Sequence, residues 1–259
     1  MKKRLLYAVF AIVMVSLFCG LFASAAESDD PANNYVVQTA PNEDSTISMW
    51  FEHSFDKIYT SDVEPSGMDT YSVYMAKNEI ENAQFVLYSD VDHTKMNATL
   101  TPFTDGNGNT IDAEVYYQFY VTTHGVDTSA YIGSDTNPGF IRNGETPDPI
   151  APLSAYRNGF KLNAGKSQAF FIRIKSTMDT APGWYSAQLD IKNSKGQVIK
   201  TATVYAYVWD FTLSDESPLQ TSIYLANKCD QYGTYKDYYD YMLENRMNAM
   251  DLPGDLNSS

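Results

Sequence analysis

Cysteine is almost missing from this chain: Cys19 and Cys229 are the only two. Cys19 lies inside an apolar opening run, so removal of that run leaves Cys229 alone. No internal disulfide is then possible, and the fold must rest on its core. Basic residues are scarce as well, with 18 Lys and Arg against 32 Asp and Glu and a formal net charge of −14. That balance excludes nucleic acid, whose phosphates need Lys and Arg, and it argues against anionic membrane surfaces. The three histidines, His53, His93 and His124, are scattered without metal-ligand spacing and read as surface or loop residues. Nothing in the sequence asks for a metal or another cofactor, and Cys229 has no neighbouring His signature of a nucleophile.

One long apolar run is present, at the start. Lys2, Lys3 and Arg4 precede Leu5–Phe22, and Ala23-Ser24-Ala25-Ala26 follows with the small residues of a cleavage site. Residues 1–26 read as a secretory signal peptide. An uncleaved anchor lacks a basic stop-transfer cluster here, and a lipid-modified Cys19 would follow the ill-fitting Phe18. Cleavage leaves 15 basic against 32 acidic residues, net −17, which suits a protein working outside the cell or in its envelope. Such a protein is not integral to the membrane once cleaved. Residues 27–45, polar and acidic with Pro31, Pro41 and three asparagines, read as a mobile, disordered leader.

What is plentiful is aromatic and β-branched. The chain holds 20 Tyr, 13 Phe and 3 Trp. From Thr46 onward, short runs rich in Val, Ile, Tyr, Phe and Thr alternate with Gly, Asn, Asp and Pro. Eight strands are expected: 46–51, 71–76, 84–89, 98–103, 114–122, 167–176, 183–191 and 198–209. In Phe170–Lys175, Ile172 and Ile174 should face one way and Arg173 and Lys175 the other. Asn193-Ser194-Lys195-Gly196 reads as a hairpin turn. The fold class is therefore mainly β, an antiparallel β-sandwich over residues 46–212. After Pro218 the pattern changes. Thr221–Ala226 reads as a strand, and Tyr235, Tyr238, Tyr239, Met242, Leu243 and Met247 recur at helical spacing. Residues 219–259 thus read as one β/α unit, the kind that opens an α/β domain.

Three ordered stretches carry a resemblance. They are Lys77–Leu87 (KNEIENAQFVL), Thr146–Leu153 (TPDPIAPL), and Asn163–Phe171 continuing through Thr180–Tyr185 to Val208-Trp209-Asp210-Phe211. Their order and spacing over residues 46–250 resemble the N-terminal region of glycoside hydrolase family 123. The resemblance implies an N-terminal β-sandwich before a (β/α)8 barrel that acts on N-acetylhexosamine glycosides through an adjacent Asp-Glu pair and the substrate's own acetamido group. Such a barrel needs roughly 250 residues, so only its first strand and helix, truncated, would fall within this sequence. The resemblance implies a secreted carbohydrate-processing protein, with N-acetylhexosamine-containing glycans as partners, whose sandwich is an accessory domain inactive alone. A free-standing glycan-binding or adhesion module is the alternative.

No catalytic residue is assigned. Asp215-Glu216 is an adjacent acid pair, but it sits in a polar linker, where nothing raises a pKa for general-acid work. Asp105–Asp112 spaces oxygen ligands like a calcium loop, yet Thr110 stands at the sixth position and Tyr116 at the twelfth, so a hairpin turn is the better reading. The candidate binding residues are Tyr116, Tyr117, Phe119 and Tyr120, an aromatic platform on which a sugar ring stacks. Alternating aromatics in strands also serve as core or cross-strand pairs, and that reading stands beside it. Trp184 and Trp209 are expected to pack in the core.

Overall fold

A computed structural model describes residues 29–123, 144–216, 219, 221 and 233–248. The fold is mainly β, with 51 % of these residues in strands and 9 % in helices. The described strands are β1 (Ile47–Glu52), β2 (Tyr71–Lys77), β3 (Ile80–Ser89), β4 (His93–Leu100), β5 (Phe103–Thr104), β6 (Thr110–Thr123), β7 (Gly144–Pro152), β8 (Phe160–Leu162), β9 (Lys166–Lys175), β10 (Gly183–Lys192) and β11 (Val198–Thr212). The one α-helix among the described residues is α1 (Tyr235–Glu244). No helix there is long and apolar enough to cross a membrane.

The strands join in a single sheet of order β1-β3-β9-β6-β5-β10-β11-β2, with β7 on β6, and β4 on β10 and β8. β6 makes the join. Its first residues pair with β5 (Ile111 with Phe103), and Asp112–Tyr117 pair with Lys175–Phe170 of β9. Two halves of the sheet therefore share one core. From β3 and β9 come Phe85, Leu87, Phe170, Ile172 and Ile174; from β10, β11 and β2 come Leu189, Ile191, Val204, Ala206, Val208 and Met75. The expected alternation holds in β9, where Ile172 and Ile174 are fully buried and Lys175 is exposed. Large side chains on one half and alanines on the other (Ala187, Ala202, Ala206) fill a common volume, as close packing demands.

Four expectations are corrected. The sheet is not wholly antiparallel, because β2 runs parallel to β11 from Tyr71–Val204 to Met75–Val208. A period-two pattern is the same in either direction, so direction was invisible in the sequence. Trp184 and Trp209 do not pack in the core. Tyr185, Ala206 and Val208 take the inward positions, which turns both tryptophans to the outer face of β10 and β11. Residues 29–45, read as a mobile leader, have defined contacts. The Asp30 carboxylate accepts from Ala32 N, Ser72 Oγ and Tyr74 OH at 2.6–2.8 Å, and Asn42 and Asp44 donate their amides to the Val198 and Ile199 carbonyls of β11. These anchors are polar and backbone groups, which apolar patterning does not register. Finally, β7, which carries Pro147, Pro149 and Pro152, is not among the eight expected strands. It pairs with β6 alone, and an edge strand tolerates proline.

Both expected turns form. Asn193 Oδ1 accepts from the Lys195 and Gln197 amides, with Gly196 at φ 77°. In the Asp105 loop, Asp105 Oδ1 accepts from the Asn107 and Asn109 amides and Oδ2 from Asn109 Nδ2 at 2.7 Å, so the carboxylate serves its own hairpin. Helix α1 starts on a capping box between Thr234 and Asp237. It ends at Glu244, short of Met247, the last residue of the expected helical spacing, and Arg246 behind it holds a positive φ of 55°. Polar bonds fix it to the sheet: Arg173 donates to Asn245 Oδ1 at 2.8 Å, Lys175 pairs with Glu244 at 2.5 Å, and Arg246 donates to the Ser214 and Asn78 carbonyls. Met242 is buried, while Tyr241 and Leu243 stay exposed. The opening run expected to be a signal peptide, the expected strand Thr221–Ala226 apart from Thr221, His124, Cys19 and Cys229 lie outside the described residues.

Candidate functional site

Strand β6 carries the aromatic platform, and the structure divides it. Tyr117 and Phe119, two residues apart, share a face, with ring centroids 5.2 Å apart. Tyr116 faces the other way, into a separate depression with Asp112, Arg173, Lys175, Tyr241 and Glu244. Tyr120 would follow Tyr116 in a regular strand. However, the β6–β7 pairing jumps from Gln118–Ile150 to Tyr120–Pro147. An irregular step of this kind re-aims side chains, and Tyr120 joins Tyr117 and Phe119 in one cleft of about 330 Å³.

The cleft's other residues come from separate parts of the chain: Thr60, Glu145, Tyr156, Lys166 and Gln168. Tyr156 lies 4.8 Å from Tyr117 and 5.8 Å from Phe119, ring to ring. Beneath them the buried Phe170 meets Tyr117 edge-on at 5.5 Å. The inner ends are held by hydrogen bonds. Gln118 donates to the Pro149 carbonyl at 3.0 Å and Gln168 to the Gln118 carbonyl at 2.8 Å. The Ala169 amide donates to Tyr120 OH at 3.1 Å. Burial pushes the Tyr117 hydroxyl up to about 12 and takes Tyr120 above the usual phenol range. Both stay neutral donors at physiological pH.

One ion pair lines the rim. Glu145 accepts from Lys166 Nζ at 2.6 Å and from Thr60 Oγ1 at 2.8 Å. These two bonds, Lys166 first, hold its carboxyl below the usual carboxylate range. Glu145 is therefore an ionised acceptor at neutral pH. A glycosidic general acid needs the opposite shift, so this arrangement can orient hydroxyl and amide groups but not protonate a leaving group. Flat rings beside fixed donors and acceptors are the chemistry of sugar recognition.

Tyr156, Glu145, Lys166 and Thr60 were not found from the sequence as site residues. Glu145 borders one motif stretch and Lys166 lies within another, but nothing in their spacing brings them together; the fold does. The remaining candidates lie elsewhere. Asp215 accepts from Asn78 Nδ2 at 2.8 Å in the linker before residue 217, away from this cleft. His53 meets Tyr71 OH at 3.1 Å, and His93 lies 3.1 Å from the fully buried Ser89 hydroxyl. Among the described residues, no three His, Cys, Asp or Glu side chains are grouped to hold a metal ion.

No protein-family model matches the chain, and no curated protein matches it. Among solved structures, a family 123 glycoside hydrolase from Clostridium perfringens is similar at a TM-score of 0.47 and 14 % identity. The match covers 70 % of this chain and 30 % of that one, so the chain spans under a third of that hydrolase's length. A Niemann-Pick type C2 protein from Japanese carpenter ant is similar at a TM-score of 0.29 and 13 % identity, over 68 % of this chain and all of that one. The CooA pilin subunit from enterotoxigenic Escherichia coli is similar at a TM-score of 0.27 and 11 % identity, over 62 % and 99 % of the two chains.

Proposed function

We propose that this chain is the β-sandwich accessory part of an exported, family 123-like carbohydrate-processing protein, and that it contacts N-acetylhexosamine-containing glycans without cleaving them. The observation that carries the reading is the convergence of Tyr117, Phe119, Tyr120 and Tyr156 with Glu145, Lys166 and Gln168 in one cleft. Its volume lies at the lower end of small-ligand sites and suits one or two sugar rings. The apolar opening run followed by a small-residue cleavage signal supports export. The ordered motif set between residues 77 and 211 supports the sandwich and its family. The segment after residue 219 is proposed to begin a (β/α)8 barrel.

Calorimetric titration with N-acetylgalactosamine, N-acetylglucosamine and their disaccharides tests this reading. Saturable binding with a Kd of about 0.1–1 mM is expected, as for a small ligand with few stacking contacts. Tyr117→Ala or Tyr156→Ala should weaken it about tenfold. Aryl N-acetylhexosaminides should release no phenol. Absence of saturable binding, or binding indifferent to both substitutions, overturns the assignment.

A further inference from the structure

The other half of the sheet carries an aromatic surface that the cleft does not use. Trp184 of β10, Tyr207 of β11 and Tyr74 of β2 are direct register partners across three adjacent strands, and Tyr205 and Trp209 flank Tyr207 on the same face. The rings touch in sequence: Tyr74 to Trp184 at 5.6 Å, Trp184 to Tyr207 at 5.0 Å, and Tyr207 to Trp209 at 4.8 Å. Inward positions of the same strands are Ala187, Val204, Ala206 and Val208, all buried in the core. Of the aromatic side chains on β10 and β11 only Tyr185 points into the core; both tryptophans point away from it, which core packing alone does not require.

The surroundings define what fits. Along β10 and β11, the outward row continues from the rings into Ser186, Gln188, Thr201 and Thr203, and Asp190 is the single charged side chain among these positions. Asp190 is itself bonded by Gln188 Nε2 and Thr201 Oγ1, each at 2.8 Å. Beside the rings, Asp210 is paired with Lys77 at 2.6 Å. The buried Asp30 carboxylate lies on this face as well, accepting from Ser72 Oγ and Tyr74 OH of β2. The three carboxylates here, Asp30, Asp190 and Asp210, thus each have partners within the chain rather than a free charge for a cationic partner, and no unpaired cation among these positions faces an anionic one. A second copy of the chain is a poor fit too. Of the five rings only Tyr74 is more than a third exposed, and a stable dimer buries roughly 800 Å² per partner. Ring edges, indole tips, hydroxyls and amides in a row whose carboxylates are already bonded suit a ligand that is itself uncharged, partly apolar and rich in hydroxyls.

We propose that the outer face of β2, β11 and β10 is a second glycan-binding surface, taking an extended, uncharged polysaccharide chain along the Trp184–Tyr207–Tyr74 row. It stands independently of the cleft: the residues differ, and so does the half of the sheet.

Depletion of the purified protein by chitin, by microcrystalline cellulose and by laminarin coupled to beads tests it, in low salt and in 1 M NaCl. Two of the chain's three tryptophans lie in this cluster, so soluble laminarin should also quench or shift the indole emission. At least one matrix should deplete the protein equally at both salt concentrations. A Trp184→Ala, Tyr207→Ala double variant should cut the partition coefficient about tenfold or more. Trp184→Phe, which keeps a ring, should retain most binding, and a cooperative melt of the double variant separates lost binding from lost folding. Four results overturn the proposal: no depletion by any matrix, depletion abolished by salt, depletion indifferent to the double variant, or a dimer by sedimentation equilibrium that the same variant dissociates.

Discussion

Phe170→Ala should be among the most damaging single substitutions in this protein, and Trp184→Ala should not, although tryptophan is the larger residue. Phe170 is fully buried on β9. It stacks on Phe85 at 4.9 Å with planes 6° apart, meets Phe160 edge-on at 4.8 Å, and supports Tyr117 at 5.5 Å. Truncation leaves a ring-sized void between strands fixed by their ladders, so the site cannot collapse. A loss of about 3–5 kcal/mol is expected, which for a domain of this size lowers the melting temperature by about 6–20 °C. Trp184 keeps water on one side and loses chiefly its contacts with Tyr74 and Tyr207, so about 1–2 kcal/mol is expected. Urea unfolding of both variants against wild type, with a shared slope, measures the difference. If Trp184→Ala costs as much as Phe170→Ala, the inward and outward assignments of β10 are wrong, and with them the second surface.

Three further outcomes follow. Tyr185 is buried and donates from its hydroxyl to the Ala181 carbonyl at 2.9 Å; Tyr185→Phe should cost about 1 kcal/mol by leaving that carbonyl short of a donor, read as a shift in the urea midpoint. Asp30→Ala removes three acceptor bonds at once, so residues 29–44 should be cut faster in limited proteolysis while the core melts nearly unchanged; an unaltered cleavage rate shows that the β11 contacts alone hold the segment. The folded state lowers the Glu145 pKa from 4.5, so this group's contribution is fully present above pH 4.5 and fades as pH falls through the folded value. With its side chain 39 % exposed, the effect is under about 1 kcal/mol, and Glu145→Gln should flatten the melting-temperature profile below pH 4.5 but not above it.

Eight strand positions were legible because period-two alternation and turn residues mark them independently of tertiary contacts. Which face of a strand lies inside is a different question, and there the sequence misled. In β10 and β11 the aromatic residues alternate with alanine and valine, and ranking by hydrophobicity turns the aromatics inward. The structure turns Trp184, Tyr205, Tyr207 and Trp209 outward and only Tyr185 inward, and Ala187, Ala202 and Ala206 share the core with Phe85 and Phe170 of the opposite half. Complementary volume of that kind is a property of two distant segments together.

The same logic explains the partial success at the cleft. Tyr117 and Phe119 share a face by alternation, which is local and readable. Tyr120 joins them where the pairing with β7 is irregular, Asp148 and Pro149 standing opposite Phe119 alone, and alternation along β6 does not register a step set by its partner strand. Glu145 and Lys166 lie 21 residues apart, and Thr60 reaches Glu145 across 85. No spacing rule connects such positions. What connects them is the sheet order β9-β6-β7, which places the start of β7 and the start of β9 on either side of the same turn-ward end of β6. An aromatic row and a cleft edged by an ion pair thus arise from one continuous sheet. Disabling either one by substitution should leave the other intact, and that separability is what the Tyr117 and Trp184–Tyr207 variants measure together.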